Sequence, residues 1–130
     1  VDSDEPYRRF AGRVEALRGA ILGAVRDLRH KGQRVAAYGA AAKGTALLNY
    51  AGLTAADIDF VCDRSPHKQG NYLPGSRIPI CRPERIAEVK PDYVLILVWN
   101  LRDEVMKQMA NIRDWGGKFV VFMPNVEVFD

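Results

Sequence analysis

Residues that build metal centres and disulfide frameworks are scarce in this sequence. It holds two cysteines, Cys62 and Cys81, and two histidines, His30 and His67. The cysteines form no CxxC and have no histidine pair nearby, which excludes the usual zinc spacings and a disulfide framework. Two buried, reduced thiols in a cytoplasmic protein are the expectation. No apolar run approaches the roughly 18–20 residues of a membrane span, and no secretory leader is visible. No charge sign dominates: 19 Lys and Arg stand against 16 Asp and Glu, a formal +3. That balance favours anionic small ligands without reaching the density of a nucleic-acid surface. No triad, paired-carboxylate site or metal cluster can be assembled from the pattern. An initiating Met is missing too. The chain opens Val1-Asp2-Ser3-Asp4-Glu5-Pro6, which reads as a piece of a longer protein whose residues 1–5 are a linker remnant.

What remains is a soluble globular composition, 48% hydrophobic and 27% charged over 130 residues, enough for one domain with its own core. Residues 6–31 read as one long helix. Phe10, Val14, Leu17, Ile21, Val25 and Leu28 recur at spacings of three and four, and Gly32 supplies the stop. Gly19 and Gly23 form a GxxxG, expected to mark close packing rather than a dimer face. The α/β core is expected over 34–127. Its strands are 34–38, 59–63, 77–81, 93–98 and 118–123, and its helices are 43–50, 83–89 and 101–115. Pro79 cannot donate to a ladder, so its strand belongs at an edge. Alternating strands and helices predict a Rossmann-like three-layer sandwich around a mostly parallel five-stranded sheet, order 3-2-1-4-5 in chain numbering.

Ligands of such sheets bind beyond the carboxyl ends of the strands. That rule selects three loops, 39–45, 63–75 and 99–104. The first reads Gly39-Ala40-Ala41-Ala42-Lys43-Gly44-Thr45. Small residues allow close backbone approach, the opening helix offers free N–H groups to an anion, and Lys43 adds a charge. Both GxxxxGK[ST] and GxGxxG are absent, with Ala41 where a second glycine would stand. A tight turn packing helix on sheet would use the same residues. Asp63 follows about 20 residues later, where an acid can hold a ribose hydroxyl or cap its own loop. In the long second loop, Lys68 is a phosphate candidate and Tyr72 a base-stacking one. The plainer alternative is a surface loop held by its prolines. Asn100 is suited to cap the helix that Asp103 and Glu104 begin, with a ligand role also open.

GAAAKGTALLNYAGL (39–53), DFVCDRSPHKQGNYLPGSRIPI (59–80) and PDYVLILVWNLRDEVMKQ (91–108) together resemble the C-terminal domain of the three-domain, S-adenosylmethionine-dependent sugar C-methyltransferases. The resemblance implies that this domain holds a nucleotide-linked sugar, often a thymidine diphosphate keto-sugar. It implies that S-adenosylmethionine binds on a neighbouring methyl-donor domain of the same chain. The fragment alone would then bind without catalysing. Matching residues carried over as ligand-loop candidates are Gly39, Ala41, Lys43, Gly44, Thr45, Asp63, Lys68, Gln69, Tyr72 and Asn100. No nucleic-acid or membrane partner is implied. Two rival readings use the same fold: a regulatory domain for NAD or coenzyme A, and an interaction module that uses the apolar stripe of the first helix.

Overall fold

The computed structural model describes residues 5–122 and 127–130, with only the backbone of 5–14. The elements in chain order are α1 (Glu5–His30), β1 (Val35–Tyr38), α2 (Ala42–Ala51), β2 (Val61–Cys62), β3 (Ile80–Cys81), α3 (Arg85–Val89), β4 (Tyr93–Ile96), α4 (Arg102–Gln108), β5 (Lys118–Val121) and β6 (Glu127–Phe129). Two 3-10 segments, Trp99–Leu101 and Ala110–Trp115, flank α4. The sheet order is β3-β2-β1-β4-β5-β6. The first five strands are parallel in the expected order. β6 is antiparallel to β5, pairing Val120 with Val128, so the sheet has six strands, not five. Glu127-Val128-Phe129 is too short to stand out in the sequence.

The sheet is covered on both faces, so its central strands are apolar on both sides. Along β1 and β4, Val35, Ala37 and Leu95 face α1 and α2, where they pack with Ile21, Val25, Leu48 and Leu97. Ala36, Tyr38, Val94 and Ile96 face the other layer, with Ile86, Val105 and Ile112. Burying an Ile or Leu contributes roughly 1.5–3 kcal/mol, so these two clusters account for the layering. The described part of the α1 stripe enters the first cluster at Ile21 and Val25, flanked by Leu17 and Leu28; Phe10 and Val14 lie outside the described side chains. Arg29 also pairs with Asp59 at 3.2 Å, a modest tie at such exposure.

Four expectations need correction. The helix expected over 101–115 is α4 followed by the 3-10 segment 110–115. The tighter coil seats Ile112 in the core and brings its carbonyl to the N–H of Gly117 at 2.8 Å. Asn100 does not cap α4. It sits inside the 3-10 turn, α4 begins without a side-chain cap, and the N–H of Leu101 returns to Val98 O at 2.8 Å. The GxxxG is not a packing seam: Gly19 and Gly23 are exposed, and a Cβ on either meets nothing within 4 Å among the described residues. Replacing Gly23 with Ala therefore raises stability by about 0.5–1 kcal/mol through helix propensity alone, measurable by urea denaturation. Finally, only one thiol is deeply buried. Cys62 is fully covered, whereas its register partner Cys81 is half-buried.

Burial, helped by the neighbouring Cys81, pushes the Cys62 thiol up to about 12. A thiolate is what reacts. At pH 8 a thiol reagent should therefore label Cys81 alone in the native protein and Cys62 only after unfolding. Mass spectrometry of the labelled peptides checks this.

β3 lies at the sheet edge, as Pro79 requires, and the Pro79 carbonyl accepts from the N–H of Val61 at 2.9 Å. The outer side of β3 is covered by residues 70–73, which run antiparallel to it through Gly70 N to Ile80 O and Ile80 N to Asn71 O. Met123 lies outside the described residues. No described helix is long and apolar enough to cross a membrane.

Candidate functional site

At the carboxyl end of the sheet, Asp63 ties two loops into one corner. One carboxylate oxygen accepts from the N–H of Ala40 at 2.8 Å, and the other from the N–H of Ser65 at 2.8 Å. Its own carbonyl accepts from Gln69 Nε2 at 2.8 Å. Lys68 Nζ donates to the Ala40 carbonyl at 3.2 Å and stands 3.8 Å from the Asp63 carboxylate. The half-buried Asp63 thus caps its own loop and grips the first loop as well. Bonds from backbone N–H to a carboxylate are the stronger, charge-assisted kind.

The first loop is fixed from beneath. Gly39 has φ +97°, and a Cβ there would fall 2.8 Å from Val98 Cγ2. Gly44 is buried, and a Cβ there would fall 2.6 Å from the Leu97 Cβ and 2.9 Å from the Leu97 carbonyl. Helix α2 therefore rests directly on the end of β4, and Gly44 serves that approach rather than facing a ligand. Thr45 bonds inward, its hydroxyl donating to the Ala41 carbonyl at 2.9 Å.

Ala41 is the extended cap residue of α2 and provides no side-chain hydrogen bond to it. The first-turn N–H groups of α2 have no carbonyls within the helix to bond. Lys43 is exposed on that turn and pairs with no carboxylate among the described residues. An uncapped helix start beside a lone ammonium favours an anion.

Not every candidate converges on this corner. Gly39, Ala41, Lys43, Asp63, Lys68 and Gln69 do, with Gly44 and Thr45 beneath them. Asn100 lies beyond β4, the strand next to β1, and is exposed. Tyr72 is 60% exposed but bridges to Pro79 on the outer edge of β3, two strands from β1 and below its carboxyl end. Tyr72 thus stands apart from the Asp63 corner.

Arg64 and Arg82 stand out only in the structure. With Gln69, Pro83 and Glu84 they line a cleft of about 480 Å³ at the ends of β2 and β3. Nothing in the sequence marks them except position, each one or two residues past a strand. Tyr38 reaches the same side. Burial raises its hydroxyl above the ordinary range, partly offset by Arg64, so it is a neutral donor, making a long 3.5 Å bond to Gln108. A larger hollow of about 570 Å³ opens at the opposite end of the sheet, among Arg29, Arg34, Asp59 and Arg85. Of its three arginines, Arg29 is partly offset by Asp59 at 3.2 Å. The smaller cleft lies where α/β sheets bind ligands.

The described residues hold no His/Cys/Asp/Glu group suited to a metal ion. The C-methyltransferase C-terminal domain family matches residues 1–124 of the chain. C-methyltransferase NovU of Streptomyces niveus is 43% identical over 122 residues, covering 94% of this chain and 29% of its own length. The chain thus spans under a third of the relative it matches.

Proposed function

This chain belongs to the C-methyltransferase C-terminal domain family, and from that premise we propose that it holds the methyl acceptor, a nucleotide-linked sugar. The carrying observation is the corner built by Asp63, which sets the uncapped start of α2 and the free Lys43 beside a rigid second loop. Phosphate bound there anchors the ligand and leaves the sugar directed outward, toward the part of the enzyme that brings the methyl group. Anchoring one end of an acceptor orients the carbon that must react, and such positioning is a large share of catalysis.

On this reading the donor, S-adenosylmethionine, binds on the remaining part of the protein, in keeping with the lack of an acidic-x-Gly-x-Gly stretch after β1, and this chain alone binds without turnover.

Calorimetric titration of the full-length protein tests the reading. Thymidine or uridine diphosphate should bind, and Lys43→Ala should weaken that binding about tenfold, the worth of one charged contact. Unchanged affinity in Lys43→Ala would remove the phosphate role. NAD or coenzyme A binding in place of the pyrimidine diphosphates would replace the sugar-nucleotide reading.

A further inference from the structure

We propose that Cys62 and Cys81 close into a reversible disulfide under hydrogen peroxide, and that closure loosens the Asp63 corner. The pairing stands on strand geometry alone; its effect on a ligand rests on the reading of that corner as the nucleotide site. The two residues are register partners on the parallel strands β2 and β3. Cys62 belongs to the layer of Phe60 and Ile86, and Cys81 packs against the same layer. The Cys62 thiol donates to the Arg82 carbonyl at 3.3 Å, so its sulfur already lies against the stretch of chain that carries Cys81. Neighbouring strands run about 4.8 Å apart, and a disulfide bridges Cα separations of about 4.4–6.8 Å.

The two thiols divide the chemistry. Cys62 is fully covered, and burial keeps its thiol protonated. Cys81 is half-buried and borders the hollow of about 570 Å³ that Arg34 and Arg85 also line. Peroxide therefore meets Cys81 first. Its sulfur attacks one peroxide oxygen and the O–O bond breaks. That oxygen stays on sulfur as a sulfenic acid, and the other leaves as water. The Cys62 sulfur then attacks the Cys81 sulfur. The S–O bond breaks, the S–S bond forms, and the hydroxyl leaves with the Cys62 proton as a second water. Burial of Cys62 slows this second step, and the fixed adjacency of the two residues offsets that. A dithiol reverses the bond by exchange, returning a proton to each cysteine and becoming a disulfide itself.

Side chains that leave parallel strands in one direction keep about the 4.8 Å strand spacing at Cβ, whereas a disulfide holds its Cβ atoms at about 3.8 Å. Closure thus draws β3 toward β2 by about 1 Å and takes the Cys62 thiol off the Arg82 carbonyl. Both cysteines also hold the corner through their backbones. The Cys62 carbonyl accepts from the N–H of Gly39 at 2.7 Å, and the Cys81 carbonyl accepts from the N–H of Asp63 at 3.0 Å. A shift between the two strands therefore passes directly to the residues that set both loops. A bond closed under such tension is the readily reduced kind, which suits a switch and not a permanent staple.

Peptide mapping of the full-length protein by mass spectrometry, after hydrogen peroxide and again after dithiothreitol, tests the pairing. A cross-linked peptide joining Cys62 to Cys81 should appear and then vanish. Cys62→Ala should stop the reaction at the Cys81 sulfenic acid, which dimedone traps. Calorimetry on the same samples tests the consequence. Oxidation should weaken thymidine diphosphate binding about tenfold, the worth of one charged hydrogen bond, and dithiothreitol should restore it. Cys81→Ser should bind equally well before and after peroxide, which sets aside any other thiol of the longer protein. Cys81 carried on to the sulfinic acid with Cys62 still free, or a cross-link that forms only after unfolding, overturns the pairing. A cross-link that leaves affinity unchanged overturns the switch. If the reduced protein binds no nucleotide, the reading of the corner falls and the effect on ligand with it, while the peptide map alone decides the disulfide.

Discussion

Gly44→Ala should destabilise the domain by about 2–3 kcal/mol and lower its melting temperature by roughly 6–18 °C. The added methyl carbon would stand 2.6 Å from the Leu97 Cβ and 2.9 Å from its carbonyl oxygen. Neither obstacle is the far end of a flexible chain. The Leu97 N–H bonds to the Tyr38 carbonyl at 3.0 Å, so the end of β4 cannot retreat without breaking its ladder to β1. Helix α2 would have to lift from the sheet instead, and its start would move relative to Asp63. Ligand binding should fall together with stability. Gly23→Ala is the control: the same chemical change on an open helix face should move stability in the opposite direction. Chemical denaturation of the two variants side by side would show whether close packing, and not a general aversion to change, makes Gly44 indispensable.

Asp63→Ala should cost about 2–4 kcal/mol and abolish nucleotide binding. It removes the acceptor for two backbone donors at once, at Ala40 and Ser65, and leaves Lys68 with only the Ala40 carbonyl. Asp63→Asn separates the two duties. One amide oxygen still accepts, while the amide nitrogen turns its own donor toward a backbone N–H. Its stability should therefore fall between the parent and Asp63→Ala. Urea denaturation gives the stability. Full binding by Asp63→Ala would show that the loops hold their positions without the bridge.

The layering and strand order were legible in the sequence because they follow from short apolar runs alternating with helical patterns and Gly breaks. The run Tyr93–Val98 reads as a buried parallel strand in any context, and Pro79 places its strand at an edge. The corner at Asp63 was half legible. Position alone marked the residue as either a ribose ligand or a loop cap, and only the structure shows it binding a second loop across 23 positions. Gly44 read as part of a ligand loop because a close-packing glycine and a phosphate-loop glycine are identical until the opposing strand is seen. Asn100 misled for a related reason: a good capping residue before an acidic pair need not be used when the chain turns once more first. Tyr72 lies along β3 rather than in the corner because the segment that carries it folds back antiparallel to that strand, which no local pattern encodes. Arg64 and Arg82 were invisible because two arginines 18 positions apart become neighbours only when β2 and β3 pair in register.

Hydrogen exchange of the full-length protein, read by mass spectrometry with and without saturating thymidine diphosphate, tests the central claim most directly. Ligand at the Asp63 corner should slow exchange in peptides covering 39–45 and 63–69 and leave 29–34 and 85–90, at the opposite end of the sheet, unchanged. Protection confined to that opposite end, or binding that leaves both loops untouched, would contradict the account.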